Sequence, residues 1–271
     1  MIQLDDNMLR RLQMIQLEML TEVDRICRKC NIQYNIIAGT LLGAIRHKGY
    51  IPWDDDADVA FLRPEYEKFR DACKSELDKS RFIFQDHRNT KGYRWGYGKL
   101  RRKNTLFLRE HQEHMPYMQG VFIDIFPLDG VPDNYLLRSL KNFECFCIRK
   151  ILWSKVGKFA EKNFWKRQAY KVLDKLPEKT VFRYYHTMIY RANKNNTRMV
   201  RILMFPTPNS EYGYYRNWYE KSKEVEFEGK RLQGIQDHDS YLTFKFGEYM
   251  KLPPAEKRKV HPVSGIKLIG K

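Results

Sequence analysis

Four aspartates within five positions, Asp54, Asp55, Asp56 and Asp58, stand immediately before the apolar run Val59, Ala60, Phe61 and Leu62. If this segment is extended, its side chains alternate and Asp54, Asp56 and Asp58 share one face. Three carboxylates on one face repel each other, and near a low-dielectric core the repulsion must be relieved by water, by protonation or by a cation. The apolar continuation sets Asp56 and Asp58 at the buried mouth of a strand, which favours a cation. Carboxylate oxygens suit Mg2+ or Mn2+, ions that keep part of their water and bind phosphate oxygens as well. A solvated acidic turn is the plain alternative. A calcium loop would need a central Gly and a closing Glu, and neither is in place.

A phosphate partner for such an ion is written upstream. Ile36 and Ile37 lead into Ala38-Gly39-Thr40, and Leu41, Leu42 and Ile45 then fall on one helical face. Thr40 is expected to cap the helix start and Gly49 to end it. A helix N-terminus with Gly beside it exposes N–H groups and lets an anion approach, so Gly39 and Thr40 are candidate phosphate contacts. Downstream, Asp124 is the one charge in the strand-like run Val121 to Phe126, and a carboxylate among Phe122, Ile123, Ile125 and Phe126 requires a partner. A buried ion pair with an arginine would also satisfy it. Asp129, past Pro127, reads as a turn residue.

At these residues the chain resembles the LicD family, which includes the fukutin-related proteins and belongs to the nucleotidyltransferase-fold superfamily. The shared pattern is Ala38, Gly39, Thr40, then Asp56, Ala57, Asp58, Val59, and it continues at GVFIDIFPLDGVP, Gly120 to Pro132, and more loosely at FGEYMKLPP, Phe246 to Pro254. Thr40 stands where the wider superfamily usually has Ser or Gly. The resemblance implies that Asp124 is the third carboxylate, so that Asp56, Asp58 and Asp124, with Asp54 as a further candidate, hold Mg2+ or Mn2+. It implies that Asp124 or Asp58 is the general base and that Lys99 or Arg101 reaches a donor phosphate. It also implies an activity: transfer of phosphocholine, or ribitol phosphate in fukutin-related members, from a CDP-linked donor to a cell-surface glycan such as teichoic acid or lipopolysaccharide, releasing CMP. Two other classes stay open, a nucleotidyltransferase that uses a nucleoside triphosphate and releases pyrophosphate, and a non-catalytic basic binding protein.

The elements that must position these residues follow from periodicity. Leu4, Met8, Leu12, Ile15, Met19, Val23 and Ile26 mark an amphipathic helix over residues 4–30. Strands are expected at 33–37, 82–85, 93–101, 121–126, 202–205 and 225–227, and a helix at 239–250 that stops before Pro253. Arg46, His47 and Lys48 close the helix after Gly39; Arg46 reads equally as a complement to the helix dipole and as a phosphate clamp. The fold expected is α/β with a mixed sheet of the nucleotidyltransferase type flanked by helices. Residues 1–131 would form the catalytic core and residues 132–271 a mainly helical extension.

The chain of 271 residues carries 50 Lys and Arg against 33 Asp and Glu, a formal charge of +17. That excess calls for anionic partners such as a nucleotide, a nucleic acid or an anionic membrane face. No nucleic-acid-binding signature is present, and the basic aromatic helices expected between residues 133 and 192 fit a membrane surface or a solvated face. Five cysteines do not form a disulfide framework, and Cys27-x-x-Cys30 lies in a helical segment and reads as structural. With neither a secretory signal nor a spanning segment, the expectation is a cytoplasmic protein that rests on the inner membrane face. Tyr212, Tyr214, Tyr215, Trp218 and Tyr219 form either an aromatic packing layer or a cage for a quaternary ammonium.

Overall fold

The computed structural model describes residues 2, 4–254, 256, 258 and 260–268 of the chain. Helix α1 (Asp6–Cys30) starts where Asp5 accepts a hydrogen bond from the Met8 N–H at 2.7 Å, and it ends where Asn31 turns left-handed at φ 50°. Its apolar stripe, with Leu12, Leu20, Val23 and Ile26, is buried against the sheet. Then follow β1 (Asn35–Ile36), α2 (Ala38–His47), β2 (Asp58–Leu62), α3 (Arg63–Ala72), β3 (Phe82–Gln85), β4 (Gly98–Arg102), β5 (Leu106–Arg109) and β6 (Phe122–Val131). Three helices come next, α4 (Tyr135–Ala160), α5 (Phe164–Leu173) and α6 (Glu178–Ala192). The remainder supplies β7 (Met199–Arg201), β8 (Tyr214–Tyr215), α7 (Asn217–Glu220), β9 (Ser222–Phe227), β10 (Lys230–Ile235), α8 (His238–Phe246) and β11 (Val263–Lys267).

The main sheet runs β3-β4-β6-β2-β1-β10-β9, with β7 joined to the far end of β6 and β8 to β7. It is mixed: β2 and β6 are parallel, as are β1 and β10, and the other neighbours are antiparallel. This is the helix-flanked mixed sheet expected from the sequence. The main core lies between this sheet and helices α1, α2, α3 and α8, and a second apolar cluster forms under α4 and α6 around Ile148, Leu152, Tyr185 and Met188. Residues 132–271 supply strands as well as helices, since β9 and β10 extend the main sheet beside β1.

Several local expectations are corrected. The strand carrying the acids begins only at Asp58, and residues 54–57 form its irregular approach. Tyr93 to Tyr97 lie outside β4, and residues 202–205 form a turn beyond β7. Asp129 is not in a turn: β6 continues through Pro127 to Val131 and buries Asp129 against Arg63. Pro127 is tolerated because the ladder with β4 ends at Ile125 and that with β7 starts at Asp129, so no N–H is required in the gap between them. Of the aromatic cluster, Tyr214, Trp218 and Tyr219 belong to the core, packed around Tyr241, so the segment is a packing layer rather than a cage.

Candidate active site

Asp58 opens β2, and across the parallel ladder its register partner is Asp124 of β6. On the other side of β6, Asp124 is in register with Lys99 of β4. Three adjacent strands thus set an Asp, Asp, Lys row across the sheet. Lys99 donates to Asp124 Oδ1 and lies 3.5 Å from the centre of the Phe122 ring; burial pushes its ammonium down to about 8, against the pull of Asp124. The partner of Asp124 is therefore a lysine, in a buried ion pair, rather than the arginine considered from the sequence.

Asp58 has no such relief. Burial, then the charges of Asp56, Asp124 and Asp54, push its carboxyl well above the ordinary range, and the charge of Lys245 works the other way. Asp54 is raised in the same way, by burial and by Asp56, with which it is in side-chain hydrogen-bond contact. Two carboxylates so close disfavour each other's ionised forms.

The irregular approach is held by neutral groups. Gln13 Nε2 donates to the carbonyls of Ile51 and Asp54, and Gln16 Nε2 to those of Asp55 and Phe122. Thr40 does not cap α2, since the residue preceding the helix is Ile37; its hydroxyl instead accepts the Asp58 N–H at 2.8 Å and fixes the first residue of β2. Gly39 is needed for space: a Cβ there would lie 2.5 Å from Asp54 Oδ2. Ala38, just before it, is left-handed at φ 49°, a conformation costly for a residue with a side chain and found where a site demands it.

Asp55, next to these acids, has the opposite character. It is 1 % exposed, and Arg109 (3.2 Å) and His261 (2.8 Å) bind its oxygens. Burial acts to raise it, but these two partners outweigh burial and hold it below the usual carboxylate range. Its charge is spent, whereas that of Asp58 is not.

A cleft of about 350 Å³ opens over this row, lined by Asp56, Asp124, Lys99, Arg109, His261 and an aromatic wall that includes Trp95, Tyr97, Trp153 and Phe205. Arg101 also lines it, but its donors go to Gln85 Oε1 and the Gly120 carbonyl. Arg46 does not line it: its guanidinium donates to the carbonyls of Tyr249 and Lys251 and ties the end of α2 to the segment after α8, so its phosphate-clamp reading is set aside. Sequence reasoning missed Asp55, Arg109, His261 and the contribution of Trp153 and Phe205. Only Asp55 carried a signal, since alternation puts it on the face opposite Asp54 and Asp56.

Profile comparison places the LicD/FKTN/FKRP nucleotidyltransferase domain on residues 31–135, the stretch from β1 to the start of α4 that holds every aspartate of the row. Residues 31–135 form a LicD-family nucleotidyltransferase domain. The chain is 28 % identical over 271 aligned residues, 94 % of this chain and 96 % of the relative, to the lipopolysaccharide cholinephosphotransferase LicD of Haemophilus influenzae. Shorter stretches match uncharacterized proteins of Rickettsia typhi, 40 % identical over 53 residues, and Rickettsia prowazekii, 42 % over 48; each covers 20 % or less of either chain. The matched stretch therefore carries the carboxylates, while the cleft wall borrows Trp153, Phe205 and His261 from outside it.

The acids fit a hard divalent cation by chemistry. The donors are all oxygen, Asp54 and Asp56 are in side-chain contact, and burial and the neighbouring acids leave Asp58 with its carboxyl raised. As the side chains stand, no three His, Cys, Asp or Glu among the described residues close on one point, and one oxygen of Asp124 is taken by Lys99.

Proposed function

We propose that this chain is a phosphotransferase that moves phosphocholine, or a related phospho-group, from a CDP-linked donor to a hydroxyl of a cell-surface glycan precursor and releases CMP. The observation that carries this reading is the row of Asp58, Asp124 and Lys99, of which Asp124 and Lys99 line an aromatic-walled cleft together with Asp56. The name of the Haemophilus influenzae relative supports the choice of group and of glycan acceptor.

Asp56 and Asp58 would hold Mg2+ or Mn2+, which, when bound, neutralises the diphosphate and stabilises charge on the departing CMP. The remaining work falls to the protein. Lys99 adds positive charge beside the transferring phosphoryl group and fixes the free oxygen of Asp124 towards the cleft. The acceptor oxygen attacks the phosphorus that bears choline, the P–O bond to CMP breaks, and the hydroxyl proton passes to a carboxylate, Asp124 or Asp58. Gly39 and Thr40 keep Asp54 and Asp58 in place rather than cradling a phosphate through a cap. We place the reaction on the cytoplasmic side, before the glycan is exported; no helix among the described residues is long and apolar enough to cross a membrane.

The test is incubation with a panel of CDP-linked donors and Mg2+, with a lipopolysaccharide-type acceptor, reading free CMP. CMP release that depends on donor, acceptor and metal supports the reading. Pyrophosphate release from nucleoside triphosphates instead would make the chain a nucleotidyltransferase, and failure to bind any nucleotide with Mg2+ would leave a basic binding protein.

A further inference from the structure

The outer face of α4 is at odds with a helix that ends in water. Leu136, Leu140 and Phe143 recur at spacings of four and three, which puts them on one stripe, and they are 72, 67 and 65 % exposed. The opposite face of the same helix is also apolar, with Cys145, Ile148 and Leu152 buried. So α4 is apolar on both sides, and only one side is covered. Isolated exposed leucines are ordinary, but a contiguous stripe of long apolar side chains marks a surface that meets something. Where α4 gives way to α5, Trp165 repeats the pattern at 78 % exposure, and tryptophan is the side chain that favours a lipid and water boundary.

The charge around this stripe selects the occupant. Residues 135–192 contain fourteen Lys and Arg against four Asp and Glu, so this stretch carries +10 of the chain's +17. Arg149 and Lys150 lie 5.6 and 5.3 Å from the Phe146 ring, beside the apolar stripe. A second copy of the chain would bring like charges together, which opposes self-association. An apolar stripe flanked by cations matches an anionic bilayer, with the side chains in the acyl boundary and the cations at the phosphates.

We propose that the outer face of α4, with the basic surface of α5 and α6 around it, docks the protein on an anionic lipid bilayer. The same helix carries Trp153 in the cleft wall, ten residues beyond Phe143 and therefore roughly 15 Å along the axis. Docking through α4 thus brings the cleft close to the headgroups, where a lipid-linked acceptor would present its sugar. The proposal stands whichever phospho-group is transferred.

Flotation of the full chain with vesicles of phosphatidylcholine, with and without phosphatidylglycerol, tests it. The wild-type chain is expected to float with the anionic vesicles only and to be released by salt. The variant Leu136→Ser/Leu140→Ser/Phe143→Ser, altered only at exposed positions, is expected to bind at least about tenfold more weakly while keeping its melting temperature and its turnover of soluble substrates. Lys166→Glu/Lys171→Glu, a pair of exposed cations, should weaken binding without touching the apolar stripe. Equal flotation of wild type and both variants, or no flotation of the wild type, overturns the proposal. So does a wild-type dimer in light scattering that the triple serine variant disperses without any vesicle binding, since the face would then join copies of the chain.

Discussion

Asp58 and Asp124 are register partners across the parallel pair β2 and β6, and Lys99 continues the same row on β4. Neighbouring strands lie about 4.8 Å apart, so the two carboxylates are held side by side by the backbone itself. Lys99 answers Asp124, and the deficit falls on Asp58.

Replacing Asp58 by Asn should therefore separate function from stability. Asp58 has a folded-state pKa raised above its unfolded value, so its ionised form opposes folding at neutral pH, and the opposition fades as pH falls and the group is protonated. Metal-free Asp58→Asn is expected to melt about 2 °C or more above the wild type near neutral pH, with the gap closing in acid or on adding Mg2+. Its turnover should drop by more than about a hundredfold. Thermal melts with and without Mg2+, alongside a CMP assay, check both halves; a metal-free variant that melts lower than the wild type would contradict the account of the charge deficit.

Gly39→Ala places a methyl group 2.5 Å from Asp54 Oδ2. The carboxylate must swing away, and because it is the end of a flexible side chain the fold gives at little cost. Turnover is expected to fall about tenfold or more with the melting temperature changed by no more than a few degrees. Activity close to wild type would mean that the position of Asp54 does not matter.

His261 and Asp55 should make the last strand sensitive to alkali. The hydrogen bond to Asp55 is the main reason the His261 pKa is raised, and burial and Arg109 oppose it. A raised histidine contributes stability that is complete below its unfolded value of about 6.5 and is lost as pH rises through the higher folded value. Asp55, held low, remains ionised throughout that window. The protection factors of the β11 amides, their exchange rates taken relative to the intrinsic rates at each pH, are expected to fall as pH rises above about 6.5, and His261→Gln should flatten that dependence. A wild-type protection factor that does not change with pH would remove the role of this contact.

His87 should account for part of the acid lability. Its ring stacks on Phe182 with centres 4.5 Å apart, and burial, then Arg88 and His186, push it down to about 2. The unfolded chain takes up a proton near pH 6.5 that the folded chain refuses, so stability falls by about 1.4 kcal/mol for each pH unit below that point. In His87→Phe the loss of stability between about pH 6.5 and pH 5 should be shallower by about that amount per unit. Chemical denaturation at several pH values measures it.

The clustered acids were legible because the sequence states them twice, as an Asp-rich mouth before an apolar run and as a lone Asp in a second apolar run. Two uncompensated acids at strand positions have few arrangements open to them. The mixed sheet was legible for the same reason, since alternation and helical periodicity marked its central members. What sequence could not give was long-range pairing. Nothing local announces that Arg109 and His261 will close on Asp55, 54 and 206 positions away, or that β10 will lie beside β1. Thr40 misled because a hydroxyl near a helix start usually caps it, and here the better use was to grip the Asp58 N–H. Asp129 misled because proline usually ends a strand, and here it fell where the partner strand changes.

The glutamines of α1 have a consequence for anyone who trims this protein. Gln13 and Gln16 carry no charge, so they hold the acidic approach by its carbonyls and leave the carboxylates themselves electrically unanswered. Arginines in their place would silence the very acids they support. Residues 31–135 taken alone would lose both amide clamps and leave the two-residue β1 without β10 on its open edge. An excised fragment of that length is a gene-sized block without being an autonomous folding one, and expression work should keep the first helix and the β9 and β10 hairpin attached.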